Sequence, residues 1–127
     1  MVVHAAHPQP QAVNRRESIE RSLAALADPT RRRVIESLRR QPRRAGELAA
    51  SLSLSPSRMS MHLRVLRHSG LVEEHSLDHD ARVRVYRLRQ EPFTALRRWL
   101  EEVESFWTLQ LDAFKTHVER KRVRRKL

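Results

Sequence analysis

The sequence predicts a mainly helical fold with one small β-hairpin, and three observations carry that expectation. Apolar residues recur at spacings of three and four in five separate stretches. Proline, serine and glycine fall where those stretches begin or end. Only "LVEEH" and "ARVRVYRLR" mix β-branched and aromatic residues with polar ones in the manner of strands, and the polar "SLDHD" lies between them. At 127 residues the chain is long enough for one domain with a modest core.

Residues 1–14 are uncharged, contain two prolines and show no periodicity, so they are expected to form a disordered N-terminal arm. Ile19, Leu23 and Leu26 then mark a helix over Arg16–Ala27. In "ADPTRRR", Asp28 or Pro29 closes that helix and Thr30 can open the next. The second helix, Thr30–Arg40, buries Val34, Ile35 and Leu38 and stops before Pro42. A short third helix, Ala45–Ser51, buries Leu48 together with Leu52, and the turn "SLSLS" follows with Leu54 as its apolar anchor.

The fourth helix has the clearest punctuation. Ser55 is a natural N-cap, Pro56 occupies the first helical position, where its missing N–H costs nothing, and Gly70 is the expected left-handed C-cap. Met59, Leu63 and Leu66 give this helix a core side. Its other side carries Ser57, Arg58, Ser60, Met61 and Arg64 and no carboxylate. A solvated helix face ordinarily mixes Glu with Lys, so an outer face without acids points to an anionic partner.

Short helix, tight turn and second helix together make a helix-turn-helix, whose second helix can enter the DNA major groove. Ser57, Ser60, Met61 and Arg64 are spaced i, i+3, i+4, i+7 and share one face. Small hydroxyls allow close approach, Arg58 or Arg64 can hold guanine bidentately, and Met61 can pack on a thymine methyl. Ser55 and His62 complete the expected contacts, although His62 between Met59 and Leu66 reads equally as a structural histidine. The hairpin reads as a wing, with Arg82, Arg84 and Arg87 able to reach phosphate or the minor groove. Its alternation is imperfect, because Val83 and Val85 share one parity while Tyr86 and Leu88 share the other. A bulge or an edge strand of mixed burial would explain this.

Pro92 is expected to open a long last helix. Phe93, Leu96, Leu100, Val103, Trp107, Leu111, Phe114 and Val118 run along it at spacings of three and four, and Trp99 and Phe106 widen the stripe. That is more apolar surface than a small domain covers alone, and a second copy of the chain is the simplest cover. Two recognition helices about 34 Å apart would read an inverted repeat. Residues 121–127 form a basic tail, which leaves residues 15–120 as the DNA-binding and dimerisation domain.

Charge agrees with this reading. Lys plus Arg number 26 against 15 Asp plus Glu, a formal net charge of +11, which suits a polyanion. With no cysteine, thiolate metal sites, disulfides and thiol redox sensing are excluded. No run of about 18 apolar residues exists, and the N-terminus lacks the features of a secretory signal, so a cytoplasmic location is expected. There is no Gly-rich phosphate loop and no nucleophile elbow, and an enzyme is not expected.

"ALADPTRRRVIESL", "GELAASLSLSPSRMSMHLRVLRHSGLV" and "RVYRL" resemble the ArsR-type family of winged-helix bacterial repressors, over about Leu23 to Glu119. "ALRRWLEEVESFWTLQLDAF" resembles a metal-independent branch often encoded beside START-like (SRPBCC) lipid-binding-type proteins. The resemblance implies a winged helix-turn-helix homodimer joined by its first and last helices, with Ile19 and Leu23 joining the stripe residues at the interface. It also implies repression by promoter blocking. In metal-sensing members the helix equivalent to Glu47–Leu52 carries a Cys-x-Cys pair, and here those positions are Ala49 and Ser51. Other members place His and Asp on the last helix. Asp112 and His117 lie about 140° apart around a helix, which does not favour a shared site. His75, Asp78, His79 and Asp80 in the wing are a nitrogen and oxygen cluster of the kind Zn or Ni accepts, but such residues are also ordinary turn formers.

The reading is therefore a sequence-specific double-stranded DNA-binding repressor with no cofactor or bound metal. An unidentified small-molecule inducer is left open. The alternatives are a non-specific architectural DNA binder, a metal-responsive repressor with non-cysteine ligands, and a membrane-surface protein using the basic last helix. Glu101, Glu102 and Glu104 oppose the last of these.

Overall fold

A computed structural model describes residues 11–77 and 79–126. In chain order the elements are α1 (Gln11–Leu26), α2 (Pro29–Arg40), α3 (Ala45–Ser51), α4 (Pro56–His68), β1 (Val72–Leu77), β2 (Asp80–Leu88) and α5 (Gln90–Lys126). Helix α1 begins at Gln11, so Gln11–Asn14 are helical rather than part of a disordered arm, and the rest of that expected arm lies outside the described residues. The expected basic tail is also helical as far as Lys126. The chain divides into two compact units, one ending at Ala95 and the other spanning Leu96–Leu127.

In the first unit, "ADPTRRR" makes the corner between α1 and α2. The cap is Asp28 and not Thr30. Its Oδ1 accepts the backbone N–H of Thr30 at 2.7 Å and of Arg31 at 3.2 Å, and Pro29 takes the first helical position. The Arg31 backbone bond is the main reason the Asp28 carboxyl lies below its ordinary pKa. The arginines finish the corner from the other side. Arg31 Nε donates to the Ala25 carbonyl at 2.6 Å and Arg32 Nη1 to the Leu26 carbonyl at 2.7 Å, so the unpaired carbonyls at the end of α1 receive cationic donors.

The core collects Val34, Ile35 and Leu38 from α2, Leu48 and Ala49 from α3, and Met59, Leu63 and Leu66 from α4, with Leu71 and Val72 beneath. Tyr86, Leu88 and Phe93 pack against it. Val34, Ile35, Leu38, Leu48, Met59, Leu63 and Leu66 are positions expected from helical spacing, whereas Leu52, also expected beside Leu48, is only half-buried; each fully buried large side chain contributes about 1.5–3 kcal/mol.

The hairpin is a two-stranded antiparallel sheet that pairs Val72 with Leu88, Glu74 with Tyr86 and Ser76 with Arg84. Its register slips between Ser76 and Leu77, which pairs with Asp80. This bulge lies nearer the turn than the break in alternation. The break has the other cause: Val83, Val85, Tyr86 and Leu88 are all half-buried, so both faces of β2 are partly covered. A further bridge was not legible in the sequence. Arg43 pairs with Tyr86 through two backbone bonds of 3.1 and 2.8 Å and adds a one-residue third strand.

The second unit is the continuation of α5, which starts at Gln90, two residues before Pro92. Leu100, Phe106, Trp107, Leu111 and Phe114 are each more than half exposed in the single chain.

Candidate nucleic-acid interface

The candidate interface is built on α3, α4 and the turn between them. Helix α3 ends in a Schellman motif. Leu54 N–H donates to the Ala49 carbonyl at 2.9 Å and Ser53 N–H to that of Ala50 at 3.3 Å. The motif requires a left-handed residue at its hinge, and Ser53 supplies it at φ 56°, the only described non-glycine residue with positive φ. The turn is thereby closed within the four residues 52–55, and α4 follows. Ser55 Oγ accepts the Arg58 backbone N–H at 3.2 Å, and Pro56 occupies the first helical position.

The end of α4 repeats the device with the residue best suited to it. Leu71 N–H donates to the Leu66 carbonyl and Gly70 N–H to that of Arg67, both at 3.0 Å, with Gly70 at φ 81°. Leu66 and Leu71 are both fully buried, so a hydrophobic clasp pins this end of the helix to the core.

Between these two clasps α4 is divided cleanly. Met59, Leu63 and Leu66 are buried, while Ser57, Arg58, Ser60, Met61 and Arg64 are exposed. Met61 is 52% exposed, an unusual setting for a methionine on a helix with so well filled a core side. His62 departs from the expected contact set. It is 4% exposed and faces the interior, because at i+3 from Met59 it falls on the core stripe. Its Nδ1 has no hydrogen-bond partner.

The wing arginines are less available than the sequence suggested. Arg84 Nη1 is bound by Glu74 Oε1, and Arg87 Nε donates to Glu73 Oε1 at 2.7 Å. Arg82 is exposed, and it too has an interaction partner. A DNA phosphate must therefore compete with these carboxylates for Arg84 and Arg87.

Glu74 was missed as a site residue, and it ties the wing to α4. Its side chain is only 8% exposed, and its Oε2 meets Arg67 Nη1 at 3.0 Å while accepting the Tyr86 hydroxyl at 3.2 Å. These bonds, led by that of Arg84, hold the Glu74 carboxyl below its ordinary pKa. The available signal was "EE" in a strand opposite alternating arginines, but only the register decides which arginine each acid meets. Glu73 is lowered likewise, first by His75, whose Nε2 lies 2.9 Å away, and then by Arg87.

Among the described residues no group of three or more His, Asp or Glu side chains converges as a metal site would, and Asp78 of the expected wing cluster lies outside those residues. No described helix is long and apolar enough to cross a membrane.

Comparison with known proteins decides the family. Residues 28–74 match the family described as "Bacterial regulatory protein, arsR family". An HTH-type transcriptional regulator of Mycobacterium tuberculosis is 39% identical over 98 residues, covering 76% of this chain and 85% of that protein. The chain belongs to the ArsR family. The structure of an ArsR-like transcriptional regulator from Rhodococcus sp. RHA1 superposes with a TM-score of 0.72 at 29% identity, over 84% of this chain and 95% of that one. A protein of Synechocystis named as a transcriptional repressor SmtB homolog is 34% identical over 71 residues, which cover 56% of this chain and 54% of the relative.

This ArsR-family chain is accordingly a DNA-binding transcriptional regulator and not an enzyme. Its fold is the winged helix-turn-helix expected from the sequence. Two of the residues assigned to an interface are already covered within the first unit: Ile19 is 8% exposed and Phe93 packs on the core, while Leu96, at the start of the second unit, is 9% exposed. Leu23, Leu100, Val103, Trp107, Leu111 and Phe114 remain exposed.

Proposed function

We propose that this ArsR-family regulator is a homodimeric repressor that binds an inverted-repeat operator and blocks transcription. One observation carries the reading. The outer face of α4 holds Ser57, Arg58, Ser60, Met61 and Arg64, all exposed, with no carboxylate, on a helix clasped at both ends. That face has the chemistry of a major-groove reader, with two guanidiniums for guanine edges, one thioether for a thymine methyl and hydroxyls small enough to let the backbone close in. Ser55, whose Oγ lies 3.4 Å from that of Ser57, stands at the head of this face, and Arg82 follows the backbone from the wing, joined by Arg84 only where a phosphate displaces it from Glu74. His62 acts from inside the helix packing, not as a contact.

The dimer is supported by the apolar surface of α5. Trp107 is 60%, Phe114 67% and Leu111 58% exposed, a row that water disfavours and a second copy would cover. Repression follows the naming of the Synechocystis relative. The working unit is residues 15–120, no metal takes part, and release of the operator by a small molecule fits the design.

Fluorescence-anisotropy binding to the DNA upstream of the chain's own gene, against a scrambled duplex at about 150 mM salt, tests the reading. A preference of about a thousandfold or more is expected of a specific regulator. Equal affinity for both duplexes, followed by a genome-wide binding selection that enriches no sequence, would leave a non-specific binder drawn by the +11 charge.

A further inference from the structure

Away from α4 and the hairpin turn, an open cleft of about 550 Å³ lies between the outer face of α2, Arg43 and Leu52. Four arginines, Arg32, Arg33, Arg40 and Arg43, line it against one acid, Glu36. Glu36 also pairs with Arg39 at 3.5 Å, and one acid among four arginines leaves the cleft basic. Arg32 is anchored on the α1 carbonyls of Leu26 and Ala27 at 2.7 and 3.2 Å, so its charge is held in place.

We propose that this cleft binds a small polyanion, a molecule carrying two or more phosphate or carboxylate groups. Arg33 and Arg40 are seven residues apart, two turns of α2, so their backbones stand about 10 Å apart along the helix. Two anionic groups span that distance better than one. Arg43 adds a second, independent observation. Its Nε is buried without a hydrogen-bond partner, while its backbone is fixed by the two bonds to Tyr86. With its backbone fixed and its Nε buried, Arg43 is a pre-positioned, partly desolvated cation at the edge of the cleft. No residue of α4 lines the cleft, so its occupant need not be the DNA that α4 would read. The cleft would hold its anion whether or not the chain is a repressor.

Citrate and pyrophosphate are suitable probes, titrated into the full chain by calorimetry at about 150 mM KCl, where loose charge attraction is screened. Saturable binding is expected for at least one, which also tells carboxylate from phosphate preference. Arg33→Ala with Arg40→Ala, both exposed and away from the core, should weaken it by about tenfold or more. The charge-matched pair Arg58→Ala with Arg64→Ala should leave it within about twofold. Three results would overturn the proposal: no saturable binding of either probe, equal weakening in both double variants, or unchanged probe binding with a shallower salt dependence of DNA affinity in Arg33→Ala/Arg40→Ala. The last would make the cleft a contact for the DNA backbone. The first two results do not bear on base recognition by α4, which is read from operator against scrambled DNA.

Discussion

Replacing Glu74 with Gln should both destabilise the first unit and make DNA binding less selective. The carboxylate accepts from Arg84 and from the Tyr86 hydroxyl and faces Arg67, with its own side chain only 8% exposed. Gln keeps the shape but offers one acceptor oxygen where two were used, and it turns an NH2 toward donors. The Tyr86 bond to a buried carboxylate is worth about 1.5 kcal/mol. The arginine pairs are worth less, about 0.5 kcal/mol each, because Arg67 and Arg84 are 51% and 61% exposed and screened by water. A loss of about 1.5–2.5 kcal/mol follows, read by urea unfolding at fixed protein concentration, since association would add to apparent stability.

The pH dependence fixes the cause. The folded-state pKa of Glu74 is depressed, so its contribution is fully present above the unfolded value and fades as pH falls through the folded one. The gap between wild type and Glu74→Gln should therefore narrow as pH is lowered below the ordinary glutamate range, about 4–4.5. The same substitution releases Arg67 and Arg84, which can then reach phosphates. Affinity for a scrambled duplex should rise, and its salt dependence should steepen by about one unit of slope or more. A stability gap that stays constant with pH, together with an unchanged salt slope, would show that the charge of Glu74 holds neither arginine.

Three further outcomes are expected. Ser53→Gly should stabilise the fold by about 0.5–1 kcal/mol in urea unfolding, because glycine adopts φ 56° without the strain a side chain carries there; a neutral or destabilising effect would mean that the serine is relaxed in that conformation. Arg64→Ala should cost about 1–3 kcal/mol of operator affinity and relax base preference at one position, whereas an equal loss on every duplex would reduce Arg64 to a phosphate contact. Trp107→Glu should yield a monomer in sedimentation, since glutamate in place of the 60% exposed indole puts a charge in the middle of the apolar row; a variant that is still dimeric would move the seam elsewhere.

What the sequence disclosed depended on how local its physics was. Gly70, Pro56 and the Met59–Leu63–Leu66 stripe act within one or two helical turns, and each reads directly from spacing. Asp28 and Thr30 are both competent caps two residues apart, and only the real path of the chain chooses between them. His62 falls where the core stripe and the polar face meet, so periodicity alone left it open, and packing closed it inward. The pairing of Glu74 with Arg84 and Arg67 depends on strand register and on how the hairpin meets α4, neither of which is written in any short window. Arg43 is the extreme case. A one-residue strand has no period, yet its bond to Tyr86 fixes the basic wall facing α2. Residues that read DNA can sit on one regular helix face and so announce themselves. A cleft assembled from a helix, a bridge and a turn cannot, and this chain's least legible feature is for that reason the one where a second ligand is most reasonably sought.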